Sequence, residues 1–166
     1  MHAVFFLVLA AGTAFVWWTS GSLPDVVASH FVADGAANGF MPRGAFVASM
    51  LALVVLVPTL LHSLGRLSAR MPPRFVNLPN KQYWLAPERR EATLASLGRF
   101  GVWAGYATLA MLCTLQWFVV RANELRPPHL EQAPLVGLMA LYFVALFVAT
   151  VAVLGRFFRA PRPSSS

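Results

Sequence analysis

Four long apolar runs dominate the pattern of hydrophobic and polar positions along the chain. They cover residues 3–20, 45–64, 100–120 and 133–155, and none of them contains Asp, Glu, Lys or Arg. A bilayer core about 30 Å thick requires roughly 20 apolar residues per helix. A backbone in lipid satisfies its own polar groups as a helix or as a closed barrel. The runs therefore predict an all-α membrane protein, a bundle of four transmembrane helices.

The composition supports this pattern. Of the 166 residues, 58% are hydrophobic and 11% are charged, whereas soluble domains carry about 25% charged residues. The length predicts a single four-span membrane domain, residues 1–156, followed by a short, basic and disordered tail, residues 157–166. The single cysteine, Cys113, lies inside an apolar run, so an intrachain disulfide is excluded.

The basic residues predict the orientation of the bundle. The loop at residues 65–99 carries seven of them, whereas the loops at residues 21–44 and 121–132 together hold three arginines. The positive-inside rule places the basic loop and both termini in the cytoplasm and the other two loops outside. We expect the arginines to contact the lipid bilayer through anionic lipid headgroups rather than nucleic acid, because they flank apolar spans.

The first outer loop is polar and rich in turn-forming residues, reading LPDVVASHFVADGAANGF over residues 23–40. Asp34-Gly35 and Asn38-Gly39 are both turn-forming pairs, so the loop is predicted to be a compact cap held by two turns. The candidate residues for binding a ligand or partner there are Asp25, His30, Phe31, Asp34 and Asn38.

The outer loops also raise the question of metal chemistry. His30 could bind Zn²⁺ with neighbouring carboxylates, could titrate as a pH sensor, or could be a hydrogen-bonded structural residue. The second outer loop adds one histidine and two carboxylates, His129, Glu124 and Glu131. The spacing matches no zinc signature and no Ser-His-Asp arrangement is present, so we expect no metal, no cofactor and no catalytic residue.

The basic inner loop begins with prolines that forbid a continuous helix. Pro87 then has the position of a first helical residue, and the helix it begins is predicted to continue into the third span. The loop motif acts either as a set of membrane anchors or as a partner-binding surface. It consists of Asn77, Asn80, Tyr83, Trp84, Glu88 and Arg89.

Small residues predict how the helices pack. Gly101 and Gly105 form a G-x-x-x-G pattern, and we expect them to face the alanines of the fourth span, Ala145, Ala149 and Ala152. A homodimer seam on the same glycines is the alternative. His62 lies towards the cytoplasmic end of the second span, where its ring is expected to snorkel to the surface in a neutral structural role, with a proton relay as the alternative. Ionised residues are absent from all four runs, which argues against an ion-coupled pump.

Two segments carry a family resemblance. The features of the outer loop are Leu23-Pro24, His30-Phe31, Gly35 and Asn38-Gly39, and the inner loop adds Asn77, Pro79, Asn80, Tyr83, Trp84, Pro87 and Arg89. In these features the chain resembles a bacterial membrane domain of unknown function, number sixteen-forty-eight. The same domain occurs at the N-terminus of SdpI-type immunity proteins, which protect a bacterium from its own secreted peptide toxin.

The resemblance implies a location in the bacterial cytoplasmic (inner) membrane. The expected function is non-enzymatic: the sensing or binding of an extracytoplasmic ligand, peptide or membrane-protein partner, with an immunity-like role. One alternative is a metal-dependent membrane enzyme or transport accessory subunit that uses the outer histidines and carboxylates. Another is a structural subunit of a larger membrane complex.

Overall fold

The computed structural model describes residues 2–68 and 70–159. Within these ranges the elements are α1 (His2–Thr19), β1 (Val26–Phe31), β2 (Ala37–Pro42), α2 (Arg43–Ser68), α3 (Lys81–Trp84), α4 (Pro87–Glu124) and α5 (Gln132–Gly155). In length and composition, α1, α2, α4 and α5 are each sufficient to cross a membrane. The four predicted apolar helices are therefore confirmed.

The prediction for the third span is confirmed and extended. Helix α4 begins at Pro87 and continues without interruption for 38 residues. At 1.5 Å per residue it is about 57 Å long, well beyond the roughly 30 Å of a bilayer core. It therefore forms the central column of the bundle, against which every other long helix packs.

The outer loop contains a β-hairpin, so the all-α prediction is wrong for this segment. Strands β1 and β2 pair antiparallel and are joined at Asp34-Gly35, where Gly35 has a φ of +93°. The Asp34 carboxylate accepts a hydrogen bond from the Ala36 N–H at 2.8 Å, which confirms the first predicted turn.

The second predicted turn is wrong. Asn38 and Gly39 lie inside β2, with Gly39 opposite His30 where the strand register shifts. A Cβ on Gly39 would lie 2.9 Å from the Cβ of His30, so the glycine serves a close approach between strands and not a turn.

Glycines of α4 contact α2, which corrects the predicted pairing with the fourth span. A Cβ on Gly101 would lie 2.5 Å from the Cα of Gly65, and a Cβ on Gly105 would lie 3.0 Å from the Pro58 carbonyl oxygen. The two backbones therefore touch at Pro58 and Gly65 of α2.

Helix α1 covers the groove between α2 and α4 with aliphatic and aromatic side chains. Phe5 and Val16 are fully buried in this core. The predicted snorkelling of His62 is wrong, since its side chain is only 3% exposed. Its ring stacks on Phe5 with the ring centroids 3.9 Å apart, because α1 covers that end of α2.

Helix α5 is attached to the bundle near its two ends and by one hydrogen bond in its middle. Over its most apolar window no residue is buried within the described chain. At its outer end Leu135 is buried, and in the middle the Tyr142 hydroxyl shares a 2.8 Å hydrogen bond with the Thr108 hydroxyl.

The inner end of α5 continues into a 3₁₀ turn at Arg156–Phe158, so the predicted disorder is wrong for the start of the tail. Phe157 is fully buried in a cluster with Val76, Leu78 and Leu94, because apolar side chains of the inner loop enclose it. The rest of the predicted disordered tail, residues 160–166, lies outside the described residues.

Candidate functional site: the outer cap

The outer cap comprises residues 21–44 and 121–132, and a buried asparagine holds it to the bundle. Asn123 is in the last turn of α4, and its side chain bonds both polar groups of one residue of β1. The Ala28 N–H donates to Asn123 Oδ1 at 2.8 Å, and Asn123 Nδ2 donates to the Ala28 carbonyl at 2.9 Å. The side-chain amide thus makes the two hydrogen bonds to Ala28 that a neighbouring strand would otherwise make.

The two outer loops are joined by further hydrogen bonds near the hairpin turn. The Leu130 N–H donates to the Gly35 carbonyl at 2.8 Å, and the Gln132 side chain donates to the Val32 carbonyl. A Cβ on Gly35 would lie 2.4 Å from the Leu130 carbonyl oxygen, so both the positive φ and this approach require glycine. The two loops therefore form one folded unit.

The base of the hairpin is fixed by its own polar groups. The Arg43 N–H donates to the Asp25 carbonyl at 2.8 Å. The Arg43 guanidinium donates to the Leu23 carbonyl at 3.1 Å and lies 3.3 Å from the Asp25 carboxylate. The Asp25 side chain is 94% exposed, so this ion pair contributes little stability.

A second buried amide lies beneath the cap. The Gln116 side chain is fully buried, and its Nε2 donates to the Ser20 hydroxyl at 3.1 Å and to the Thr19 hydroxyl at 3.3 Å. These bonds tie the outer end of α1 to α4. Asn123 lies seven residues, or about two turns, further along the same face of α4, so the two amides make this end of the helix a polar attachment surface.

The predicted site residues of the hairpin separate into two groups. Asp25, His30, Asp34 and Asn38 are exposed, and the Ser29 hydroxyl lies 3.1 Å from His30 Nδ1. Phe31 is half-buried against the apolar cluster around Leu130. The exposed residues are available to a partner, whereas Phe31 holds the hairpin in place.

The histidines and carboxylates of the cap are not arranged as a metal site in the described part of the chain. Within residues 2–68 and 70–159 there is no group of three His, Cys, Asp or Glu side chains that could hold a metal ion. His129, Glu124 and Glu131 line one small cavity of about 110 Å³ that also contains Arg121. The Arg121 guanidinium bonds Glu124 at 2.7 Å and takes the place that a cation would need.

The second outer loop occupies the start of the hairpin's outer edge, where Ala36 forms an antiparallel bridge with His129, and no further strand among the described residues pairs with β2 beyond it. Ala28 directs its N–H and C=O towards Asn123 and away from β2. In an antiparallel ladder the residue opposite, Phe40, then directs its own N–H and C=O away from β1. The Phe40 side chain is 56% exposed. The outer edge of β2 thus offers backbone donors and acceptors beside exposed apolar and polar side chains.

The residues of the inner-loop motif lie in different environments. Asn80 Nδ2 and Trp84 Nε1 both donate to the Phe157 carbonyl at 3.0 Å, and we name these three residues the inner clamp. Tyr83 carries the Arg89 guanidinium 4.1 Å from its ring centroid. Asn77 and Glu88 are exposed and are not part of the inner clamp.

Sequence reasoning missed the residues that assemble the cap and the bundle. Asn123 and Gln132 were not identified as site residues. They carry side-chain amides at the two ends of the second outer loop, and this placement was the available signal. Gly65 was missed as well, although Pro58, His62 and Gly65 recur at helical spacing on one face of the second span. This spacing could have identified α2 as the helix that packs against Gly101.

No family model matches this chain, and neither a curated protein nor a solved structure matches it. The resemblance of the two loops to the membrane domain of unknown function therefore stays a prediction. The chain is described by its own geometry: four helices long and apolar enough to cross a membrane, with a polar hairpin held at one end.

Proposed function

We propose that this chain is a non-enzymatic multi-pass protein of the bacterial cytoplasmic membrane whose outer cap binds an extracytoplasmic ligand, peptide or partner. The observation that carries the proposal is the hairpin, which is fixed to α4 by Asn123 while the outer edge of β2 stays open. The arginine distribution supports an outward-facing cap, since the basic loop is at the opposite end of the bundle.

The form of the cap favours an extended peptide segment as the partner. A strand edge binds such a segment through main-chain hydrogen bonds, and neighbouring side chains provide the selectivity. Phe40 and Asn38 lie on β2, and His30 is opposite Gly39 on β1. A secreted peptide as the partner also agrees with the immunity-like role that the resemblance implies.

Photo-crosslinking in the native host tests this function. A photoreactive residue at position 38 should yield a discrete adduct. The same residue at position 92, which is exposed near the start of α4 beside the basic loop, should not. Phe40→Pro removes an outward N–H that does not pair with β1, so the Asn38 adduct should be lost while the protein still inserts.

Asn123→Leu provides a second, independent test of the cap. It leaves the Ala28 N–H and C=O without their buried partner, at a cost of about 2 kcal/mol, so the hairpin should detach and the adduct should disappear. An Asn38 adduct unchanged by both substitutions would contradict binding at this edge. Stoichiometric zinc in the purified protein, lost on His30→Ala, would favour the metal-dependent alternative.

A further inference from the structure

An apolar groove runs between α1 and the outer half of α2. Its upper part encloses about 710 Å³ between Trp17, Trp18, Val47 and Leu51. A second space of about 480 Å³ shares Trp17 and Leu51 with it and continues down α1 to Phe6. The two spaces therefore form one groove.

The dimensions of the groove suit a hydrocarbon chain. From Phe6 to Trp18 the helix rises about 18 Å, slightly more than the roughly 15 Å of one bilayer leaflet. The walls expose almost no polar groups, because the hydroxyl of Thr13, the one hydroxyl residue in the lower part, donates to the Leu9 carbonyl. Apolar walls of this length exclude a polar occupant.

The mouth of the groove differs in charge from its walls. Arg43 lies there with Ser20, Gly21 and Gly44. A guanidinium has five N–H donors, and the contacts of Arg43 with Leu23 and Asp25 fix its position while using two of them. A Cβ on Gly21 or Gly44 would meet nothing within 4 Å, so the mouth is open.

From this geometry we propose that the groove is a binding site for an anionic phospholipid, with an acyl chain along α1 and the phosphate beside Arg43. Trp17 and Trp18 stand at the same level, which is where aromatic rings meet lipid headgroups. The site adjoins the base of the hairpin, because Arg43 also contacts Leu23 and Asp25, but its lining does not include Asn38 or Phe40 of the proposed peptide edge. Charge complementarity at the mouth selects the occupant, because a phosphate can accept from the Arg43 N–H donors that Leu23 and Asp25 leave free.

Native mass spectrometry of the full chain tests the proposal. The purified protein is released from micelles containing equal amounts of phosphatidylglycerol and phosphatidylcholine, and the retained lipid is counted. We expect phosphatidylglycerol to be retained about fivefold more, which is what one arginine contributes near an anionic surface. Arg43→Gln should abolish this preference. Arg121→Gln should preserve it, because Arg121 is also paired with a carboxylate in the outer cap but does not line the groove.

A second pair of variants tests the groove without changing its charge. Gly44→Phe should fill the mouth and remove the retained lipid, whereas Gly137→Phe, which also projects into open space but lies on α5, should retain it. Circular dichroism melting shows whether each variant is folded. Equal retention of the two lipids by the parent, or an unchanged preference in Arg43→Gln, would overturn the proposal. Displacement of the retained lipid by inorganic phosphate alone would also overturn the proposal. So would a dimer in which a second copy of the chain fills the groove and no lipid is retained.

Discussion

Helices α2 and α5 both lie against α4, and they are held there in different ways. Along α2, glycine meets glycine so closely that a Cβ on Gly101 would lie 2.5 Å from the Cα of Gly65. Along α5, no residue of the apolar window is buried, and attachment is concentrated at Leu135, at one hydroxyl pair and at Phe157. Two long apolar helices are thus attached differently, α2 through close backbone contact and α5 through a few side chains.

The proposed membrane location accounts for this difference. In lipid, apolar side chains gain little by leaving the solvent, so close packing forms where small residues permit it and hydrogen bonds form where polar groups remain. Helix α2 offers Gly65 and Pro58 to α4. Helix α5 offers mainly large aliphatic and aromatic side chains, which lipid accommodates equally well. We therefore expect substitutions on the two helices to differ strongly in their effects.

The largest effect is expected from Gly101→Leu. The side chain has no space against Gly65, so the α2–α4 contact should open at a cost of about 3 kcal/mol. Thermal unfolding in detergent, followed by circular dichroism, measures the loss. Gly137→Leu is the matched control on α5, where a Cβ meets nothing within 4 Å, and it should melt like the parent. Equal destabilisation by the two variants would contradict the contrast between the helices.

An intermediate effect is expected at the inner clamp. Trp84→Phe retains an aromatic ring against Phe157 but removes the Nε1 donor to its carbonyl, a loss of about 1 kcal/mol. Because this bond holds only the end of α5, hydrogen exchange should become faster over residues 153–159 while the melting of the bundle changes little. Faster exchange spread equally over α2 would show that the clamp is not local.

The smallest effect is expected from Tyr142→Phe. It removes the one hydroxyl pair between the middles of α4 and α5, and such bonds between membrane helices contribute about 0.6 kcal/mol. Thr108→Val removes the other hydroxyl of the same pair. The two single variants and the double variant should all unfold at nearly the same temperature. A loss larger than that of Trp84→Phe would mean that α5 is held by its middle.

The sequence predicted the helices better than it predicted their partners. Apolar length determines which segments are helical in lipid, and Pro87 marked the start of α4 correctly. The partner of Gly101 was assigned to the fourth span because the connecting loop is short. The helix that actually packs there is α2, since Gly65 and Pro58 allow an approach that the alanines of α5 do not use.

The outer cap was predicted in part. Asp34-Gly35 was correctly assigned as a turn because positive φ favours glycine. The hairpin itself was missed, because a strand pair this short depends on partners distant in sequence. Asn123 lies 95 residues from Ala28, and no local pattern connects the two. His30 and the outer carboxylates were grouped by topology, yet backbone positions in the hairpin keep them apart.

The position of the hairpin relative to the membrane is the central claim, and cysteine labelling tests it most directly. Both cysteines are introduced in a Cys113→Ala background. Ala33→Cys places a thiol at the exposed hairpin turn, and Ala92→Cys places one at an exposed position near the start of α4, beside the basic loop. A membrane-impermeant maleimide applied to intact cells should label Ala33→Cys, and should label Ala92→Cys only after the membrane is permeabilised. Labelling of Ala92→Cys in intact cells, with Ala33→Cys protected until permeabilisation, would contradict the account.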